Sequence, residues 1–126
     1  MPSNRISKGF GDVLKAILLI EKWVEEAGGA DQAIFHDLKA RSAIERQLLV
    51  ISEAAIRLHK LDPAICSALA PRIDWPGVRG MGNFIRHKYD DLDTTILTDV
   101  IRNRLTELRE ACQQAIQSLS PGEAHE

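Results

Sequence analysis

Apolar residues recur along the chain at three- and four-residue steps, the period of a helix that turns one face to a core. Phe10, Val13, Leu14, Ile17, Ile20 and Val24 form one such stripe, and the paired glycines Gly28 and Gly29 predict where the first helix stops. A short turn of helix is expected around Asp31 to Phe35. Ile44, Leu48, Ile51, Ala55 and Leu58 then step by 4, 3, 4 and 3 residues, predicting a second long helix from about Leu38 to His59, closed by Pro63. The stretch from Pro63 to Leu69 has room for a turn or two before Pro71 interrupts it. Asp74, Trp75 and Pro76 together make a start signal, with Asp74 as N-cap and the proline in the first turn, and predict a helix from about Trp75 to Tyr89. The last stripe, Leu97, Ile101, Leu105, Leu108, Cys112, Ala115 and Leu119, steps by 4, 4, 3, 4, 3 and 4 before Ser120, Pro121 and Gly122. No alternating run bounded by turn residues predicts a strand. The expectation is an all-α bundle of four or five helices, one domain over residues 1–126 with an ordered core at about 6–119.

Composition narrows the function classes. The 126 residues are 44% hydrophobic and 27% charged, an ordinary globular balance, and 16 basic against 18 acidic side chains leave a net charge of -2. There is no global positive field, so any grip on a nucleic-acid backbone requires a local cluster. Cys66 and Cys112 stand alone in sequence, which fits reduced core thiols and neither a metal knuckle nor a redox pair. The longest apolar runs, residues 16–20 and 48–51, fall far short of the roughly 20 residues of a membrane span. With no signal-like apolar core at the N-terminus, a cytoplasmic protein without membrane contact is expected. A bundle this small buries only about two thirds of its unfolded surface, so pairing with a second copy would add useful burial.

The local cluster exists. Between Arg72 and Lys88 lie four cations (Arg72, Arg79, Arg86, Lys88) and one acid (Asp74), a charge of +3, followed by Asp90, Asp91 and Asp93. Asn83 and His87 are four apart and share a helix face, and Tyr89 follows His87 by two. Cutting RNA without a metal requires deprotonating a ribose 2′-hydroxyl, neutralising the pentacoordinate phosphorus and protonating the leaving 5′-oxygen. Histidine titrates nearest neutral pH, arginine forks onto phosphate oxygens and an amide orients either one. His87, Arg86 or Arg79, and Asn83 are the residues for those roles. On spacing alone, a solvated surface histidine in a basic helix accounts for His87 as well.

The run from Trp75 to Tyr89, with Gly80-Met81-Gly82-Asn83 and His87-Lys88-Tyr89, resembles the signature of the HepT-like toxins of the HEPN superfamily: Gly-Met-Arg-Asn, three residues, His, any residue, Tyr. Ile51-Ser52-Glu53-Ala54-Ala55 resembles that family's Ile-Gly-Glu-Ala-Ala stretch, and the helix order agrees from about Ile6 to Leu119. The resemblance implies a homodimeric helical ribonuclease of a bacterial toxin–antitoxin module, its RNA cleft built from the Arg and His of both subunits. It also implies a partner, an MNT-type nucleotidyltransferase antitoxin that moves AMP from ATP onto the motif tyrosine. By position His87 would be catalytic and Tyr89 the modified residue, with no resident cofactor or metal. Adenylate at Tyr89 would set negative charge and bulk beside the cationic groups.

One position departs from the signature: Gly82 stands where the family has its arginine. Either the activity is lost or another arginine substitutes. Arg86, one turn on, leans back over residue 82 and is the first candidate; Arg79 is the second, and Arg72 would reach across a dimer. Lys88 adds to the local charge. Glu53 is a candidate for orienting His87, although an ion pair to Arg46, Arg57 or Arg86 explains it equally. Trp75 and Phe84 are assigned to the core ahead of base stacking, and His36, His59 and Cys66 lack zinc-site spacing. Gly80 and Gly82 are expected to permit close helix approach or local irregularity, and Asp90, Asp91 and Asp93 to serve the dipole and cap of the last helix. The Gly82 departure supports a second reading, a non-catalytic helical module that docks the nucleotidyltransferase as its substrate, and a third is a plain oligomerisation bundle.

Overall fold

The structure, a computed structural model, describes residues 2–87 and 94–119. Helix α1 spans Pro2–Ala27, α2 Ala30–Phe35, α3 Leu38–Leu61, α4 Ile65–Leu69 and α5 Trp75–His87. Helix α6 (Thr94–Asp99), a π-helical turn (Val100–Arg104) and α7 (Leu105–Leu119) follow one another without a break as a single rod. Among the described residues there is no strand, and the all-α expectation holds. Four long helical rods carry the fold, and two helices of five and six residues, α4 and α2, bridge them.

The predicted boundaries have identifiable chemistry. Gly28 and Gly29 take φ of 99° and 120°, in the left-handed region where glycine is favoured, and the Gly29 N–H turns back to the Val24 carbonyl at 2.8 Å to close α1. Asp37 caps α3, its carboxylate accepting from the Ala40 N–H at 3.0 Å, and His59 and Lys60 complement the dipole at the other end. Asp74 caps α5 as expected, accepting from the Gly77 N–H at 3.1 Å.

The π turn was not legible as such, but its cause was. From Leu97 through Ile101 to Leu105 the apolar stripe advances eight residues, whereas two α-helical turns advance about 7.2. The wider turn absorbs the surplus, so that Leu97 and Leu105 both reach the core while Ile101 stays partly exposed.

α3 is the centre of the packing. α1 lies along one side of it and also against α7, and α5 lies on another side. Phe10, Val13, Ile17 and Ile20 of α1 and Ile44, Leu48, Ile51 and Leu58 of α3 are fully buried, joined by Leu105, Leu108, Cys112 and Ala115 of α7. Trp75 anchors the start of α5: only 2% exposed, it meets the Phe10 ring edge-on at 6.1 Å and donates its indole N–H to the Ala70 carbonyl at 3.0 Å. This side chain belongs to the core and has no face open to a base. No helix among the described residues is long and apolar enough to cross a membrane.

α1 and α3 come close at Gly9, where a Cβ would stand 2.5 Å from Leu58 Cδ2 and 2.7 Å from its Cγ. Leu58 is fully buried, so it yields only by displacing its neighbours. Gly9→Ala is therefore expected to destabilise the fold by about 1–3 kcal/mol in chemical denaturation, despite alanine's better helix propensity; an unchanged or raised midpoint would contradict the packing.

Both thiols sit in this core. Burial pushes Cys66 up to about 11, against the pull of the Arg79 guanidinium and with a further push from Asp62. Burial, with a smaller contribution from Cys66, pushes Cys112 up to about 12. Above an ordinary thiol pKa the unfolded chain loses these protons while the folded chain keeps them, so folding stability falls as pH rises toward the folded values. The urea midpoint is expected to drop between about pH 9 and 11, and more gently in Cys66→Ala/Cys112→Ala; equal slopes would contradict the assignment.

Candidate functional site

α5 turns two unlike faces outward and inward. Trp75, Gly82 and Ile85 are buried, with Val78, Met81 and Phe84 half-buried, and the helix rests on α3 along this side. Pro76, Gly77, Gly80 and Asn83 are exposed. The outer face is thus nearly bare of side chains until Asn83, and the positive charge near it comes from Arg72, opposed by the capping carboxylate of Asp74, and from the residues after Asn83. Residues 86 and 87 form the last turn of α5; their side chains lie outside the described part of the structure, as do all of Lys88, Tyr89, Asp90, Asp91 and Asp93. Asn83 and residue 87, four apart on a continuous helix, share one side of it.

The other named residues separate. Arg72 is exposed in the turn that leads into α5. Arg79 is half-buried, and its positive charge offsets part of the rise that burial imposes on the Cys66 thiol of α4. Glu53 is half-buried on α3, beside Ser52. Arg57, one of the ion-pair partners considered for Glu53, reaches Asp12 of α1 at 2.9 Å. Among the described residues no three of His, Cys, Asp and Glu gather closely enough to hold a metal ion.

Gly82 is where the local geometry is most specific. Ser52 of α3 is 1% exposed; its hydroxyl donates to the Arg79 carbonyl at 2.6 Å and accepts from the Gly82 N–H at 3.0 Å. A Cβ at position 82 would lie 2.8 Å from Ser52 Oγ, 3.1 Å from Ser52 Cβ and 3.4 Å from Leu49 Cδ2. The position is closed to side chains as α5 now sits. Gly82 does serve close helix approach; Gly80 does not, since a Cβ there would meet nothing within 4 Å among the described residues, and nothing in the structure explains that glycine. Ser52 is the residue that sequence reasoning passed over. The available signal was a small hydroxyl residue on the core face of α3, facing a glycine on the core face of another helix.

The α3–α5 pairing, with a basic helix laid on the central rod and its last turn carrying Arg86 and His87, coincides with the segment on which the sequence resemblance rests. No solved structure matches the chain. A family model described as Ribonuclease HepT-like matches residues 13–115, which takes in all of α2 to α5 and most of α1 and α7. The match spans the greater part of the chain, which belongs to the HepT-like ribonuclease family.

Proposed function

We propose that this protein is the toxin of a toxin–antitoxin pair, a metal-independent endoribonuclease that works as a homodimer and is silenced when a nucleotidyltransferase antitoxin adds AMP to Tyr89. The observation that carries this reading is membership of the ribonuclease family across a region that includes the whole of α5. The reaction class is RNA phosphodiester cleavage, and the chemistry follows from the residues on the last two turns of that helix.

The imidazole of His87 takes the proton of the ribose 2′-hydroxyl. The freed 2′-oxygen attacks phosphorus, the bond to the 5′-oxygen breaks, and that oxygen leaves with a proton returned by an imidazole of the shared cleft. The products are a 2′,3′-cyclic phosphate and a 5′-hydroxyl. A guanidinium beside the phosphorus offsets the negative charge of the pentacoordinate state, and Asn83, exposed on the same face, orients the imidazole or a phosphate oxygen. Arg86 is the guanidinium of choice. Position 82 has no room for one, and Arg79 is half-buried and lies about two helical turns before His87. A second protomer supplies the matching groups, with Arg72, Lys88 and Glu53 supporting the charge and orientation of the cleft. AMP on Tyr89, two residues beyond His87, would introduce a phosphate that competes with RNA for the same cations.

The closed position 82 also favours a second reading, in which the chain no longer cleaves RNA and serves only as the docking partner and substrate of the nucleotidyltransferase. The two readings give different results in one assay. For the ribonuclease, His87→Ala abolishes cleavage of single-stranded RNA with fold and oligomeric state intact, and EDTA leaves the rate unchanged. Arg86→Ala loses rate about as severely, roughly 100-fold or more, while Arg79→Ala loses less. Cleavage that survives His87→Ala, or a larger loss at Arg79 than at Arg86, would contradict the assignment.

For the switch, incubation with ATP and the partner nucleotidyltransferase should add AMP to Tyr89, located by mass spectrometry of the digested protein. A Tyr89→Phe protein that is still labelled and silenced would overturn it.

A further inference from the structure

Ser52 and Thr98 are the buried polar residues among those described. Thr98 returns its hydroxyl to its own helix, bonding the Thr94 carbonyl at 2.7 Å. Ser52 does something else. It spans two helices, and it addresses the backbone of the second one at two points within a single turn, the Arg79 carbonyl and the Gly82 N–H. Hydroxyl bonds to a partner backbone at 2.6 and 3.0 Å depend steeply on distance and angle. The apolar contacts that accompany them carry no such directional requirement. A one-residue shift of α5 along α3 moves it about 1.5 Å and rotates it by about 100°, which breaks both bonds.

The clasp lies close to the candidate chemistry. Gly82 immediately precedes Asn83 and sits four and five residues before Arg86 and His87, all on one uninterrupted helix. α5 makes its main contact with the bundle through α3. We propose that Ser52 is a positioning residue for the site on α5: its hydroxyl sets the axial and rotational register of the helix, and so the direction in which Asn83 and the last turn face RNA. Gly82 is the other half of the device, because only a residue without a side chain lets the hydroxyl reach the backbone. This inference rests on the ribonuclease reading for its effect on rate, but the clasp itself has a readout that does not need catalysis.

Three variants of the full chain separate positioning from packing: Ser52→Ala, Gly82→Ala, and the exchange Ser52→Gly/Gly82→Ala, which removes the hydroxymethyl group from α3 and adds a methyl group on α5. Gly82→Ala should lower Tm by roughly 3–6 °C through the crowded Cβ, and the exchange should recover most of that loss. Rate should not follow. At a temperature well below every Tm, Ser52→Ala and the exchange should both cut kcat for RNA cleavage about tenfold with KM within about twofold, because a misdirected site binds the strand and fails at the chemical step. An exchange variant with wild-type kcat would show that Ser52 only fills space, and would overturn the proposal. If the wild-type protein cleaves no RNA, the ribonuclease reading falls, and the positioning claim is decided by NMR. The His87 Cε1–H resonance and its titration midpoint should differ between wild type and the exchange variant, and identical titration curves would refute it.

Discussion

The contact between Ser52 and the backbone of α5 ties the helix that carries the candidate site to the central rod of the bundle. α1, α3 and α7 share one large apolar core, so each is held from more than one direction. α5 is held mainly from one, by α3, with Trp75 pinning its first turn against Phe10. Between that anchor and the last turn there are ten residues of which Ile85 alone brings a buried apolar side chain: Val78, Met81 and Phe84 are only half-buried, and Gly82 contributes no side chain. A hydroxyl bonded at two backbone points supplies in direction what this stretch lacks in area. On the proposed ribonuclease reading, the end of α5 that carries Arg86 and His87 takes its orientation from a residue on another helix.

Much of the fold could be seen in the pattern of apolar positions. The stripes beginning at Phe10, Ile44 and Leu97 gave all three long core helices, because a residue that recurs at helical period and is large and apolar has only one low-energy place to go. The caps were equally visible: Asp74 and the pair Gly28 and Gly29 act through local chemistry that depends on neighbours in sequence. The π turn was hidden because the sum of two four-residue steps, and neither step alone, demands it. α2 and α4 are the short helical pieces expected around Asp31 to Phe35 and between Pro63 and Leu69, six and five residues long, and they bridge the rods.

The site was legible in a different way. The concentration of charge between Arg72 and Lys88 and the spacing of Asn83, His87 and Tyr89 stood out in the chain, and family membership supports their reading as a ribonuclease segment. Gly82 was visible only as something missing, an arginine that the resemblance called for. Its reason lies 30 residues away, in Ser52. Set against the family's pattern, the two positions depart in opposite senses. A serine stands on α3 where the pattern has glycine, and a glycine stands on α5 where the pattern has arginine. The structure shows these two positions in contact. A long-range contact of this kind leaves no trace in local spacing, and a single sequence cannot show which residues face each other across a helix pair.

The central claim is that α5 presents a fixed outer face, from Gly80 through Asn83 to the last turn, to an RNA strand. The most direct measurement is an NMR titration of the ¹⁵N-labelled His87→Ala protein, which cannot turn over, with a short single-stranded oligoribonucleotide at two salt concentrations. The account predicts amide shifts concentrated in the second half of α5, weakening as salt rises. Shifts confined to the outer faces of α1 and α7, or no shifts at low salt, would contradict it.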